Sequence, residues 1–157
     1  MGSARGRQRA RNQHTGSPER YTPAWLMARV SGFLGGEFFD PCPASMGHPS
    51  ANGLAMQWRG RVYINPPYGR TIREWIAKAM CEPADETILL LPAYTDALWY
   101  QSLAGCAMCF IKRRVYFDTP DGRTVRAPHP SVLVYKGSRT DQFYASFHDL
   151  GFIARTG

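Results

Sequence analysis

The chain has 157 residues, 44% of them hydrophobic and 13% aromatic, with a formal net charge of +7. That length suits one domain with a real core and is too short for a catalytic domain plus a large recognition domain, while the composition excludes a disordered chain. No apolar run approaches the roughly 20 residues that span a bilayer, and the arginine-rich first residues are not a secretory signal, so a soluble, cytoplasmic protein without membrane contact is expected.

Charge is unevenly spread. Residues 1–20 carry five arginines, Arg5, Arg7, Arg9, Arg11 and Arg20, against the single acid Glu19, whereas residues 21–157 hold 14 basic and 11 acidic residues. A basic arm on a nearly balanced body suits phosphate contacts, with Arg5, Arg7, Arg9 and Arg11 as nucleic-acid-binding residues. The same composition also suits a merely solubilising tail. The expected organisation is a flexible arm over 1–20 and one folded domain over 21–157. Of the four cysteines, Cys106 and Cys109 form a Cys-x-x-Cys pair inside an apolar, strand-like run. Without a second pair at ligand spacing and with scattered histidines, buried free thiols are expected rather than a metal site.

After the arm, Thr22 can cap a helix that has Pro23 at its first position and Leu26, Val30, Phe33 and Leu34 along one face, ended by Gly35-Gly36. Glu37-Phe38-Phe39 reads as a short strand running into Asp40-Pro41-Cys42-Pro43. An acid at the carboxyl end of a parallel strand is placed to meet a ligand, and Asp-Pro equally suits a plain strand-ending turn. Residues 44–57 show no element and contain no acid. Arg61 to Ile64 reads as a buried strand delivering Asn65-Pro66-Pro67-Tyr68-Gly69 to an edge, followed by a helix with a capping box at Thr71 and Glu74 and an apolar face ending near Met80. Thr87 to Leu91 is a buried strand, Thr95 or Asp96 caps a helix through Leu103, and Ala107–Ile111, Val115–Phe117 and Ser131–Tyr135 are strands. Phe143, Tyr144, Phe147 and Leu150 mark a closing helix ended by Gly151. This alternation predicts an α/β domain with a mainly parallel sheet and an antiparallel C-terminal part.

The residue types in Asn65-Pro66-Pro67-Tyr68 suit one chemistry. An exocyclic amine on an aromatic ring is a poor nucleophile because its lone pair is delocalised. Acceptors around both N–H groups draw the nitrogen toward tetrahedral geometry. The Asn65 side-chain oxygen can be one acceptor and the Pro66 carbonyl the other, since Pro67 brings no competing N–H. Tyr68 offers a face on which a flipped base can stack. A proline turn closing a strand, with Tyr68 at the rim, is the plain alternative.

Taken together, Tyr21-Thr22-Pro23, Asp40-Pro41-Cys42, Trp58-Arg59-Gly60, Asn65-Pro66-Pro67-Tyr68-Gly69, Leu89-Leu90-Leu91-Pro92 with Thr95-Asp96, and Pro130 to Val134 resemble the small Dam-like, phage-type DNA N6-adenine methyltransferases. The resemblance runs from about Tyr21 to Tyr135. It implies a compact Rossmann-like methyltransferase domain that takes its methyl group from S-adenosylmethionine and acts on DNA, in the host cytoplasm if phage-encoded. It places Tyr21, Thr22 and Pro23, and Asp40 with Pro41 and Cys42, at the methionine end of the cofactor. Asn65, Pro66, Pro67 and Tyr68 become the catalytic motif. Arg113, Arg114 or Tyr116 would face the substrate, the alternative being a solvated basic edge with Tyr116 in the core. The chain departs from many methyltransferases in lacking a Gly-x-Gly turn after the first strand and an acid between Asp40 and Asn65, 24 intervening residues in all. The ribose contact is therefore unassigned, the second and third strands are expected to be reduced or missing, and a homodimer completing the site would follow. An RNA or protein-glutamine amino-methyltransferase, and an inactive nucleic-acid-binding relative, are the rival functions.

Overall fold

The structure, a computed structural model, describes residues 20–43 and 50–155, without the side chains of 50–52. In chain order it forms α1 (Ala24–Leu34), α2 (Ser50–Ala55), β1 (Arg61–Ile64), α3 (Ile72–Cys81), β2 (Glu86–Pro92), α4 (Leu98–Gln101), β3 (Ala107–Ile111), β4 (Tyr116–Asp118), β5 (Thr124–Arg126), β6 (Ser131–Lys136), α5 (Thr140–Phe147) and β7 (Gly151–Ala154). No helix among the described residues is long and apolar enough to cross a membrane.

Side-chain alternation along the strands sorts the core onto two faces. Tyr63, Ile88, Leu90, Cys109, Leu133 and Tyr135 meet Leu26, Val30, Phe33 and Leu34 of α1 and Phe143 and Phe147 of α5. Val62, Ile64, Leu89, Leu91, Val132 and Val134 meet Ile72, Trp75, Ile76 and Ala79 of α3 on the other face. Covered on both sides, β2 is buried at every position, which is why it reads as an unbroken apolar run.

The main sheet has the order β1-β2-β6-β3-β7 and is mixed. Only β1 and β2 pair in parallel, with one further parallel bridge between Phe39 and Val62. The pairs β2–β6, β6–β3 and β3–β7 are all antiparallel. This overturns the expectation of a Rossmann-like domain with a mainly parallel sheet. The cause is the connection after β3: a parallel return needs a crossover of a dozen or more residues, usually helical, but here the chain forms the β4–β5 hairpin, so β6 comes back antiparallel between β2 and β3.

Several local expectations shift as well. The predicted strand over Glu37–Phe39 is a single bridge at Phe39. Pro23, not Thr22, stands at the N-cap of α1, and Thr71 makes no side-chain cap bond to α3. The helix predicted from Thr95 or Asp96 through Leu103 shortens to α4. Within the stretch expected to lack structure, α2 forms because tertiary contacts hold it: Trp58 Nε1 donates to the Gly53 carbonyl (2.9 Å), and a side chain at Gly53 would overlap the Pro41 carbonyl and the Trp75 ring. β5 and β7 were not anticipated; β7 begins at the glycine expected only to end the last helix.

Candidate functional site

The Phe39 bridge, β1 and β2 run the same way, so Asp40, Asn65 and the loop after Pro92 leave the sheet at one edge. Because β6 is antiparallel to β2 and to β3, β3 also ends at this edge. The carboxyl edge is where open α/β sheets offer a crevice. Arg20 to Thr22 crosses it, held by a bridge in which the Tyr21 and Asp118 backbones exchange hydrogen bonds of 2.8 and 3.0 Å.

That crossing orients Asn65. Its Nδ2 donates to the Arg20 carbonyl oxygen (3.2 Å) and to Thr22 Oγ1 (3.4 Å). A backbone carbonyl can only accept, so the amide nitrogen must face it and the oxygen must face the other way. Neither Asn65 Oδ1 nor the buried Pro66 carbonyl accepts a hydrogen bond among the described residues. Pro67 is half-buried, and Gly69, at φ +134°, turns the chain into α3.

Thr22 has left the helix cap for this site: its hydroxyl lies 2.5 Å from that of Tyr63, which is buried. Burial pushes the Tyr63 phenol well above its usual range, so it stays protonated. Tyr68 is half-buried, with its hydroxyl directed at the Leu90 carbonyl (3.4 Å) and its ring edge-on to Phe117 at 6.4 Å. Burial raises its phenol too, opposed by the nearby Arg20. One edge of the ring is therefore anchored in the fold.

Asp40 follows the Phe39 bridge and so lies beside Tyr63, whose phenol it raises further. Its Oδ1 accepts from the Cys42 backbone N–H (2.8 Å), making both the local turn and an acid at a strand end. Burial nonetheless lifts the carboxyl to about 6, because no basic side chain pairs with it among the described residues. Pro41 is buried against α2 and Cys42 is half-buried.

Thr22, Tyr63 and Asn65 are thus in direct contact, with Tyr21, Asp40, Pro66 and Tyr68 around them. Pro23 is buried under the start of α1. Arg113 and Arg114 lie away from Asn65, where β3 ends, and Tyr116 is 53% exposed, so it is not a core residue. Arg5, Arg7, Arg9 and Arg11 lie outside the described residues. One participant was missed: Arg20, which the sequence assigns to the arm, holds Asn65 through its carbonyl and carries a buried Nε with no hydrogen-bond partner. Its position directly before Tyr21-Thr22 was the available signal. In comparison with known proteins, no family model and no curated relative matches this chain.

Proposed function

We propose that this protein transfers a methyl group from S-adenosylmethionine to N6 of adenine in DNA. The observation that carries the reading is the Asn65 amide, held by its nitrogen so that its oxygen, like the neighbouring Pro66 carbonyl, accepts no hydrogen bond among the described residues. Two acceptors with no competing donor between them are what an aromatic amine needs to become pyramidal and nucleophilic.

The methyl donor can be tested against the residues present. Its methionine end is a zwitterion, and the edge carries both complements: the Asp40 carboxylate and the buried Arg20 Nε, neither of which has a partner of opposite kind among the described residues. Arg20 would take the carboxylate and Asp40 the ammonium. When bound, the donor supplies an electrophilic methyl on a sulfonium. The chain's own residues then bind and orient: Asn65 Oδ1 and the Pro66 carbonyl accept the two N6 hydrogens, Tyr68 supports the base, and Thr22 and Tyr63 fix the Asn65 amide. The surplus proton of the amine passes to water, so no strong base is required.

Incubating the full chain with methyl-labelled S-adenosylmethionine and plasmid DNA, then analysing nucleosides, tests this. The expected product is N6-methyladenine, and Asn65→Ala should slow its formation by about 10²–10³-fold, the scale of losing one preorganised polar contact, with the native fold retained in its circular dichroism spectrum. No labelled adenine, or a wild-type rate in Asn65→Ala, overturns the proposal. Label in RNA or in protein glutamine in parallel samples keeps the chemistry and changes the substrate.

A further inference from the structure

The carboxyl edge carries a second feature. The segment from Ile111 to Tyr116, facing Trp25 and Arg126, borders an open cleft of ≈ 770 Å³. Among the described residues its lining contains four basic residues, Lys112, Arg113, Arg114 and Arg126, and no acid. None of the four pairs with a carboxylate among the described residues, so the positive charge is not neutralised. Two large aromatics border it while remaining open to solvent, Trp25 at 49% and Tyr116 at 53% exposure. Trp25 lies off the apolar stripe of α1, so the core does not account for it.

Backbone geometry sets this segment apart too. Arg113, at φ +65°, is the one described residue other than glycine in the left-handed region. Hydrogen bonds hold the chain on both sides, from the Lys112 N–H to the Leu150 carbonyl (2.9 Å) and from the Ala127 N–H to the Val115 carbonyl (2.7 Å). Strain retained in this way collects at functional positions. Strand β4 lies between the cleft and the Asn65 site. Neighbouring residues of β4 face opposite ways, and Phe117 packs against Tyr68 while Tyr116 borders the cleft.

We propose that this cleft binds the unpaired stretch of DNA next to the extruded base, Trp25 and Tyr116 stacking on bases while Lys112, Arg113 and Arg126 hold phosphates. This deepens the function proposed above and rests on its reading of DNA as substrate. Exposed aromatic faces interleaved with unpaired cations match single strands, whose bases present open π-faces, whereas a duplex keeps its bases stacked on one another.

Fluorescence anisotropy of the full chain with a labelled oligothymidine of about 12 nucleotides, within the site sizes such grooves take, tests the cleft. The probe contains no adenine, so it is blind to methyl transfer. Trp25→Ala and Tyr116→Ala should each weaken binding about tenfold, and a duplex of the same length by less than about twofold. Arg126→Glu, on an exposed strand, should weaken both and flatten the dependence of affinity on salt. Arg113→Gly relieves the left-handed backbone and so keeps the fold, yet should cost several-fold in affinity. The proposal is overturned if the wild-type chain does not bind oligothymidine, if the aromatic variants bind like wild type, or if they lose as much on the duplex. Oligothymidine binding that depends on Trp25 and Tyr116, without any methylated adenine, would sink the methyl-transfer reading and leave the cleft standing. Methylation without that dependence would do the reverse.

Discussion

The two ends of the sheet are built on opposite principles. At the amino ends of β1 and β2, buried Glu86 accepts from Tyr135 Oη (2.6 Å) and from Arg139 Nε and Nη2 (2.6 and 2.7 Å), with Arg61 Nε at 3.2 Å. The two arginines continue to the Phe33 and Leu34 carbonyls, and Lys136 takes three carbonyls at the end of α3. The donors around Glu86 meet acceptors and its charge is compensated, and only the neighbouring Thr87 hydroxyl is buried without a partner among the described residues there. At the carboxyl ends, among the described residues, Asn65 Oδ1 and the Pro66 carbonyl have no donor, Arg20 Nε has no acceptor, and the half-buried Asp40 has no cation. A compensated end holds a fold together, and an uncompensated end keeps binding capacity for something else.

Breaking the compensated end should cost most. Glu86→Ala leaves Arg139 and the Tyr135 hydroxyl facing an empty site, so a loss of about 3 kcal/mol in urea unfolding is expected, as for other buried pairs stripped of one partner. A loss under about 0.5 kcal/mol, the scale of an ordinary surface change, would erase the contrast between the ends. The same carboxyl fixes an acid limit. Its hydrogen bonds with Arg139 hold it below its ordinary value of 4.5, so its stabilisation is complete above that pH and is lost as pH falls through the folded-state value. Glu86→Gln should remove that part of the acid sensitivity.

A smaller effect is expected where the uncompensated end is held in shape. Thr22→Val strands the buried Tyr63 hydroxyl and removes one of the two anchors of the Asn65 amide. A cost of about 1–2 kcal/mol is expected, and the double variant Thr22→Val/Tyr63→Phe should recover part of it because no polar atom is then left unpaired. Methyl transfer should fall in both, since neither restores the anchor. A strictly additive cycle would mean that the two hydroxyls do not interact.

The contrast between the ends also explains what the sequence discloses. β2, β3, β6 and the helices α1, α3 and α5 declare themselves through apolar period, because burial on one or two faces writes that period into the chain. Strand direction shows only in part: Val115–Phe117 reads as a strand with no helical spacer before Ser131, which marks an antiparallel C-terminal part, but nothing in the segment shows that β6 returns between β2 and β3. α2 was unreadable because a glycine fitted against Pro41 and Trp75, not its own propensity, sustains it. At the site, Asn65-Pro66-Pro67-Tyr68 stands out because the motif is contiguous. The junction of Asn65 with Thr22 and Arg20 spans more than 40 residues and needs the fold to appear. Arg20 was hidden among the arm's arginines, and Trp25 on the helix surface; its place outside the Leu26-Val30-Phe33-Leu34 stripe was the clue.

The smallest expected change is a gain. Asp40 has its carboxyl raised to about 6 from an ordinary 3.8, chiefly by burial. Between those values the folded chain binds more protons than the unfolded one, so this group's contribution is full below 3.8 and is lost as pH rises through about 6. Asp40→Asn cannot ionise and keeps an oxygen for the Cys42 N–H. It should therefore be more stable than wild type at pH 8 by about 1 kcal/mol, within the usual range for relieving a functional strain, and equal to it at pH 3. Urea midpoints at the two pH values measure this directly. The gain at pH 8 should come with loss of methyl transfer, because the unpaired carboxylate is the group assigned to the donor's ammonium. Parallel stability profiles for the two proteins across this range would mean that the Asp40 carboxylate is fully solvated, and the carboxyl edge would then no longer differ from the rest of the surface.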